Sequence, residues 1–323
     1  MNPSALLVGL AGGIASALLI AAPVAGGSMG DLLVFVAPLP LAIASLGWGT
    51  RAGILSAFVS WVGLIITFNS LVPGVDAMMQ ATSTALIIAV PMVLVAHYAG
   101  LARQNEAAAG GLEWYPYSRL FQLMTFLSAV MVVLSLVVGG YDPAKLAVDL
   151  AAGLKEAFVN SGGQVPDDET INAISNFFAS MVPLISANGR LMVLVGNLWI
   201  ALLVVRHSGR PVRPRDDLAA NWILPSYMSL VFVVALVLAA VDGPVGMVAA
   251  AFAGAAGMAF SMIGLGDLHL FVRRKASRKP LLVVTYVLIF LTFGLPFLPL
   301  MLVGLGDAPL NFKRKLLAPA GAA

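Results

Sequence analysis

Apolar runs of membrane-spanning length alternate with short polar turns along nearly the whole chain. A span needs about 20 predominantly apolar residues. Runs approaching or exceeding that length occupy residues 5 to about 25, 32–46, 52–68, 77–101, 120–138, 191–205 and 223–241, the stretch that opens at Pro244, and 281–305. The second run holds Pro38 and Pro40, and residues 47–51 tie it to the third in a tight hairpin. The run at 191–205 is short, so 181–187 is read as its extension, with Arg190 inside an interrupted helix. The pattern predicts an all-α, polytopic transmembrane helical bundle of eight or nine spans.

The stretch 244–275 organises the rest. Gly246, Ala250 and Gly254 fall four apart, as do Ala253, Gly257 and Ser261. On a helix each set makes a flat ridge against which another helix packs closely. The first span carries the same device twice, in Gly9 with Gly13 and in Ala11 with Ala15.

Two segments depart from the apolar pattern. Residues 103–119 form a polar linker ending in Trp114, Tyr115 and Tyr117, aromatic residues suited to the headgroup zone. Residues 140–190 form the long polar insert. Within it Leu146, Leu150, Leu154 and Phe158 predict one amphipathic helix, broken at Ser161-Gly162-Gly163. Pro166-Asp167-Asp168 then starts a second, with its apolar stripe at Ile171, Ile174, Phe178 and Val182. Both are expected on the membrane surface or over the mouth of the bundle.

Composition narrows the class. Of 323 residues 60% are hydrophobic and 10% charged, and the mean hydropathy is +0.97. A soluble domain carries about 25% charged residues, so this chain cannot coat a water-facing surface. It reads as a single integral membrane domain over 1–323. The net charge of +3 does not indicate nucleic-acid binding, because the basic residues sit in short loops. There is no Cys, which excludes disulfides and thiolate catalysis, and His97, His207 and His269 lack metal-ligand spacing. Neither a metal nor a cofactor is expected. No P-loop, paired-carboxylate or Ser-His-Asp pattern appears, so an enzyme is the least supported class. The N-terminus lacks the basic leader of a cleavable signal peptide.

Basic residues set the orientation. Arg51, Arg103, Arg119, Arg206, Arg210, Arg213, Arg215, Arg273, Arg274, Lys275, Arg278 and Lys279 fall on one face; Lys145, Lys155 and Arg190 fall on the other. The first face is therefore cytoplasmic. That predicts a multi-pass protein of the inner, cytoplasmic membrane, with a cytoplasmic N-terminus and an extracytoplasmic insert.

The C-terminus resists this scheme. Gly264-Leu265-Gly266-Asp267 is echoed by Gly304-Leu305-Gly306-Asp307, and each copy runs into basic residues. A single span over 281–305 puts the basic tail, 306–323, outside. A turn at Gly294-Leu295-Pro296 keeps it inside, yet leaves two arms too short to span. One long span is the favoured reading.

Candidate functional residues are few. Asn197 and Trp199 lie within the sixth span, with Arg190 at its outer end; Asn69 and Gln80 sit at the outer ends of the third and fourth spans. These are the candidate ligand contacts. Asp267, His269 and Asp307 close helices at the cytoplasmic end, where ion pairing or capping competes with a relay role.

The elements at 264–274 and 304–314 resemble the end of a bacterial membrane family of unknown function typified by YybS. That family is distantly similar to the substrate-binding subunits of energy-coupling-factor uptake transporters. The resemblance implies a compact helical bundle that holds a vitamin or metal ion and docks on a separate ATPase module. In those subunits an Ala-xxx-Ala face on the first span docks the module, a place taken here by Ala11 and Ala15. The expected function is thus a substrate-capturing subunit of a small-solute uptake system in the lipid bilayer. A non-transporting scaffold or envelope-assembly factor is the alternative. A cavity beneath 140–190 favours the first and a solid core the second.

Overall fold

The computed structural model describes residues 1–24, 26, 30–107, 111–210, 213–215, 217–273, 275, 277–292, 294–310, 313 and 317. Ala25, Arg274, Asn311, Phe312, Arg314 and the tail beyond Leu317, on which some expectations fall, lie outside this set.

The first four apolar runs form a sub-bundle. They are α1 (Pro3–Ala21), α2 (Gly30–Leu33), α3 (Leu39–Trp48), α4 (Thr50–Leu71), α5 (Ala77–Thr84) and α6 (Val90–Ala99). α2 and α3 are two pieces of one crossing, joined by a 3-10 turn, Val34–Val36, that leads into Pro38 and Pro40. α5 and α6 are likewise one crossing, joined by a π-helical segment, Ala85–Ala89, ahead of Pro91. In each case a proline lacks the N–H that regular α-helix needs. The predicted glycine face on α1 packs against α4. A Cβ on Gly13 would lie 2.5 Å from the Ser56 carbonyl oxygen, and one on Gly9 2.8 Å from Leu55. Ala11 is exposed and Ala15 half-buried.

The linker adds a small element to the helical pattern. β1 (Ala102–Gln104) and β2 (Leu112–Trp114) pair antiparallel, and Arg103 bridges to Glu113. Then come α7 (Tyr117–Val138), α8 (Pro143–Asn160) and α9 (Asp168–His207).

The expectation for the insert needs correction. Its second helix and the sixth span are one continuous helix of 40 residues, α9. At about 1.5 Å per residue that is about 60 Å, twice the thickness of a hydrocarbon core. Its N-terminal half is thus continuous with the sixth apolar run and is not a separate element. α8 packs back along it as the other arm of a hairpin, closed by Lys155 on Asp168 at 2.6 Å. Pro183 does not interrupt the helix. It supplies no N–H to the Ala179 carbonyl, and the Tyr141 hydroxyl donates there instead, at 2.6 Å. The buried stripe of the N-terminal half also differs from the predicted one. It runs Ile171, Ser175, Ala179, Pro183, Ala187, while Ile174 and Phe178 are exposed.

The chain continues through α10 (Leu218–Asn221), α11 (Tyr227–Leu238), α12 (Pro244–Val272), α13 (Arg278–Leu291) and α14 (Phe297–Leu310). α12 is the axis of its half of the molecule: 83% of its apolar window is buried, against 22–44% for the other long apolar helices. The small residues read from the sequence explain this. A Cβ on Gly254 would lie 2.1 Å from the Leu184 oxygen of α9, so the two backbones touch. Gly257 meets Phe232 of α11 and Met301 of α14, and Ala250 is buried. Gly246 serves locally, under the Val241 carbonyl that precedes the helix.

The last apolar run is two helices, not one span. Gly294, at φ +90°, donates its N–H to the Ile289 carbonyl at 2.8 Å and ends α13; Pro296 bars its continuation. α14 then runs parallel to α12. Phe297 lies beside Ser261, and Gly304 beside Gly264 and Phe260. The two copies of the Gly-Leu-Gly-Asp repeat thereby pack against each other. A Cβ on Gly264 would lie 1.9 Å from the Leu300 oxygen, and one on Gly304 2.0 Å from the Phe260 oxygen.

Among the described residues, seven helices, or helices joined in one crossing, are long and apolar enough to cross a membrane, and large apolar side chains such as Leu7, Leu18, Ile66, Leu230 and Phe290 face outward. A water-soluble fold buries such residues. The protein is a helical, multi-pass integral membrane protein in contact with lipid.

Candidate functional site

The last turns of α9 and α12 lie side by side and present matching faces. α9 offers Val195, Gly196, Trp199, Leu202, Leu203 and Arg206; α12 offers Leu265, Gly266, His269 and Arg273. Each set follows the three-to-four spacing of one helix face and ends in arginine. Between them opens a cleft of about 680 Å³. α10 closes one side with Asp217, Leu218, Ala219 and Trp222; Tyr117 of α7 and Tyr286 of α13 complete the wall.

Gly266 allows α10 to sit close, since a Cβ there would be 3.1 Å from the Ala219 oxygen. Asp217 accepts from both Arg273 guanidinium nitrogens, at 2.5 and 2.6 Å, and fixes α10 to the end of α12. That fork holds the Asp217 carboxyl below the usual carboxylate range. Trp222 stacks on Phe121 with ring centroids 5.7 Å apart. Arg206 donates to the Arg213 carbonyl at 3.2 Å, and the buried Arg213 donates to the Tyr115 carbonyl at 3.2 Å and lies over the Tyr117 ring. α13 joins the wall through the Tyr286 hydroxyl, 2.9 Å from His269 Nε2.

Behind this cleft lies a buried polar cluster. Asp267 and Asp307, one from each copy of the repeat, both engage Lys313. The Lys313 N–H donates to Asp307 Oδ1 at 2.7 Å, and its Nζ lies 3.4 Å from Asp267 Oδ1. Nζ donates its hydrogen bond to the Trp222 carbonyl at 2.6 Å, so both Asp267 oxygens have charge compensation but no hydrogen bond.

The structure brings Trp199 and His269 into one cleft, and Asp267 and Asp307 into one cluster. It sets the other candidates apart. Asn197 is buried and donates to the Phe35 and Val193 carbonyls, both at 2.8 Å; the first lies in the 3-10 turn that joins α2 and α3. Its amide N–H groups are thus occupied in holding a broken helix. Arg190 is half-buried on α9, with no hydrogen-bond or ion-pair partner among the described residues. Asn69 and Gln80 are exposed near the ends of α4 and α5. None of these lines the cleft. Two further clefts, about 540 and 660 Å³, lie against α11 and α12; the second is lined by apolar residues alone. None of the three is lined by residues of the insert, so the cavity expected beneath 140–190 is not among them.

Arg206, Arg215 and Arg273 were read from the sequence only as basic loop residues that set the orientation, and Asp217 and Trp222 were not singled out. The available signal was that Trp199 and Arg206, and His269 and Arg273, keep helical spacing toward the same end. No protein-family model matches the chain, and no curated protein or solved structure matches it either.

Proposed function

We propose that the chain is the substrate-holding subunit of a small-solute transporter, which binds its solute in the cleft between α9 and α12 and works with a separate energy-coupling module. The observation that carries this reading is the cleft. Its volume of about 680 Å³ falls within the range of small-molecule sites. Its lining sets it apart from the two further clefts, since three arginines, an aspartate and a histidine converge on it. Guanidinium groups and aromatic rings suit an organic solute better than a bare metal cation. The basic end faces the cytoplasm under the positive-inside rule. The cleft then opens inward, the discharging state of an importer. Ala11 and Ala15 leave on α1 the small-residue face through which an energy module would dock.

The projecting α8–α9 hairpin supports a second reading, an assembly role. Phe177 and Phe178 stand 60% and 51% exposed on it, a surface apolar enough for a partner.

Native mass spectrometry of the full-length protein decides between them. The transporter reading expects a retained small molecule that disappears in Trp199→Ala. A ligand-free protein, with no thermal shift across a vitamin panel and no ATPase on pull-down, leaves only the assembly role.

A further inference from the structure

We infer that the molecule this cleft holds is an anionic lipid drawn from the surrounding leaflet, bound by its phosphate; this rests on the reading of the cleft as the substrate site and makes that substrate a lipid in place of a water-soluble vitamin. Charge comes first. Three arginines line the cleft, Arg206, Arg215 and Arg273, against one carboxylate, Asp217, already taken by Arg273. Among the described residues Arg206 donates only to a carbonyl and Arg215 has no carboxylate partner. Two guanidinium groups are therefore left to meet an anion, and their planar forks match phosphate oxygens.

Depth comes second. Arg206 and Arg273 sit at the ends of α9 and α12, Arg215 lies in the loop that follows α9, and the wall beneath them is apolar, with Val195, Trp199, Leu202 and Leu265. A phosphate at the rim and a chain along this wall is the layout of a lipid. Basic pockets between helices on the cytoplasmic side select such headgroups.

Access comes third. α13 contributes Tyr286 to the wall, and none of its residues is buried. Its polar tie to α12 is the bond between His269 and Tyr286, backed by their ring contact at 6.0 Å. A wall held this lightly lets an acyl chain enter sideways, which an opening to water alone does not.

The test uses the full chain with Trp48, Trp61 and Trp114 replaced by Phe, so that only Trp199 and Trp222 fluoresce. It is reconstituted with brominated phosphatidylglycerol or brominated phosphatidylcholine. Saturable quenching by the anionic lipid is expected, with half-saturation lower by about tenfold than for the zwitterionic one. The double variant R206Q/R215Q removes that preference, and R206K/R215K keeps part of it, which separates lost charge from lost fold. Equal quenching by both lipids, unchanged in R206Q/R215Q, overturns the inference. So does displacement by inorganic phosphate, which points to a water-soluble phosphate compound and leaves the solute-holding reading intact. Failure of both lipids and of phosphate to alter the signal, in a protein that also retains no ligand, removes both.

Discussion

Asp267 is 3% exposed and sits near the end of a membrane helix, where an unpaired carboxylate costs several kcal/mol. Lys313 compensates its charge and in turn anchors on the Trp222 carbonyl, in the wall of the cleft. Removing the cation alone leaves the acid stranded, so Lys313→Ala is expected to lose about 3–5 kcal/mol and to run as aggregate on size exclusion in detergent. The double variant D267N/K313M removes both charges and is expected to recover a monodisperse peak. Equal behaviour of the single and double variants would show that Asp267 does not depend on Lys313. The sequence displayed Asp267 and Asp307 in matching motifs but not their shared partner. Lys313 reaches Asp267 across 46 positions only because the chain folds back at Gly294, and no local spacing encodes that contact.

Among elements, the α12–α14 pair is the one most dependent on backbone contact. The copies of the repeat meet through Gly264 and Gly304, where even one added carbon would fall 1.9–2.0 Å from a carbonyl oxygen. Backbone at that distance has to move. Gly264→Ala is therefore expected to destabilise by about 1–3 kcal/mol, the usual range for an overpacked core. Gly189→Ala is the control: nothing lies within 4 Å of its Cβ, so a neutral or slightly stabilising effect is expected. Melting curves in detergent separate the two, and equal midpoints would refute the close-packing argument. The close approaches of Gly9, Gly13, Gly254 and Gly257 were legible because small residues at four-residue spacing have one main use in a membrane helix, whereas Gly264 and Gly304 showed in the sequence only as two copies of a repeat. The single length of α9 was not legible. The polar approach up to Arg190 signalled an interruption, whereas in the structure the helix passes Pro183, with the Tyr141 hydroxyl donating to the Ala179 carbonyl that the proline leaves without an N–H.

For the molecule as a whole, the fold-back at Gly294 decides on which side the chain ends. α13 and α14 each have 14 residues, about 21 Å of helix, short of a hydrocarbon core of about 30 Å. α14 begins beside Ser261, partway along α12, and runs parallel to it, which brings the C-terminal ends of the two helices together. The hydropathy of 281–305 favoured a single crossing because apolarity measures immersion, not direction. The charge asymmetry of the loops had pointed the other way. Because the chain has no Cys, single cysteines report sidedness without background. Ser208→Cys, Ser277→Cys and a cysteine appended after Ala323 are all expected to react only after the membrane is opened from the cytoplasmic side. Ser161→Cys, at the tip of the α8–α9 hairpin, is expected to react in intact cells with an impermeant maleimide. Labelling of the appended cysteine together with Ser161→Cys would mean that α13 and α14 straighten into one span in the bilayer. Lys313 could not then reach Asp267, and Tyr286 would leave His269, so the buried cluster and the α13 wall of the cleft would both be lost. One labelling pattern thus tests the hairpin and the site built on it.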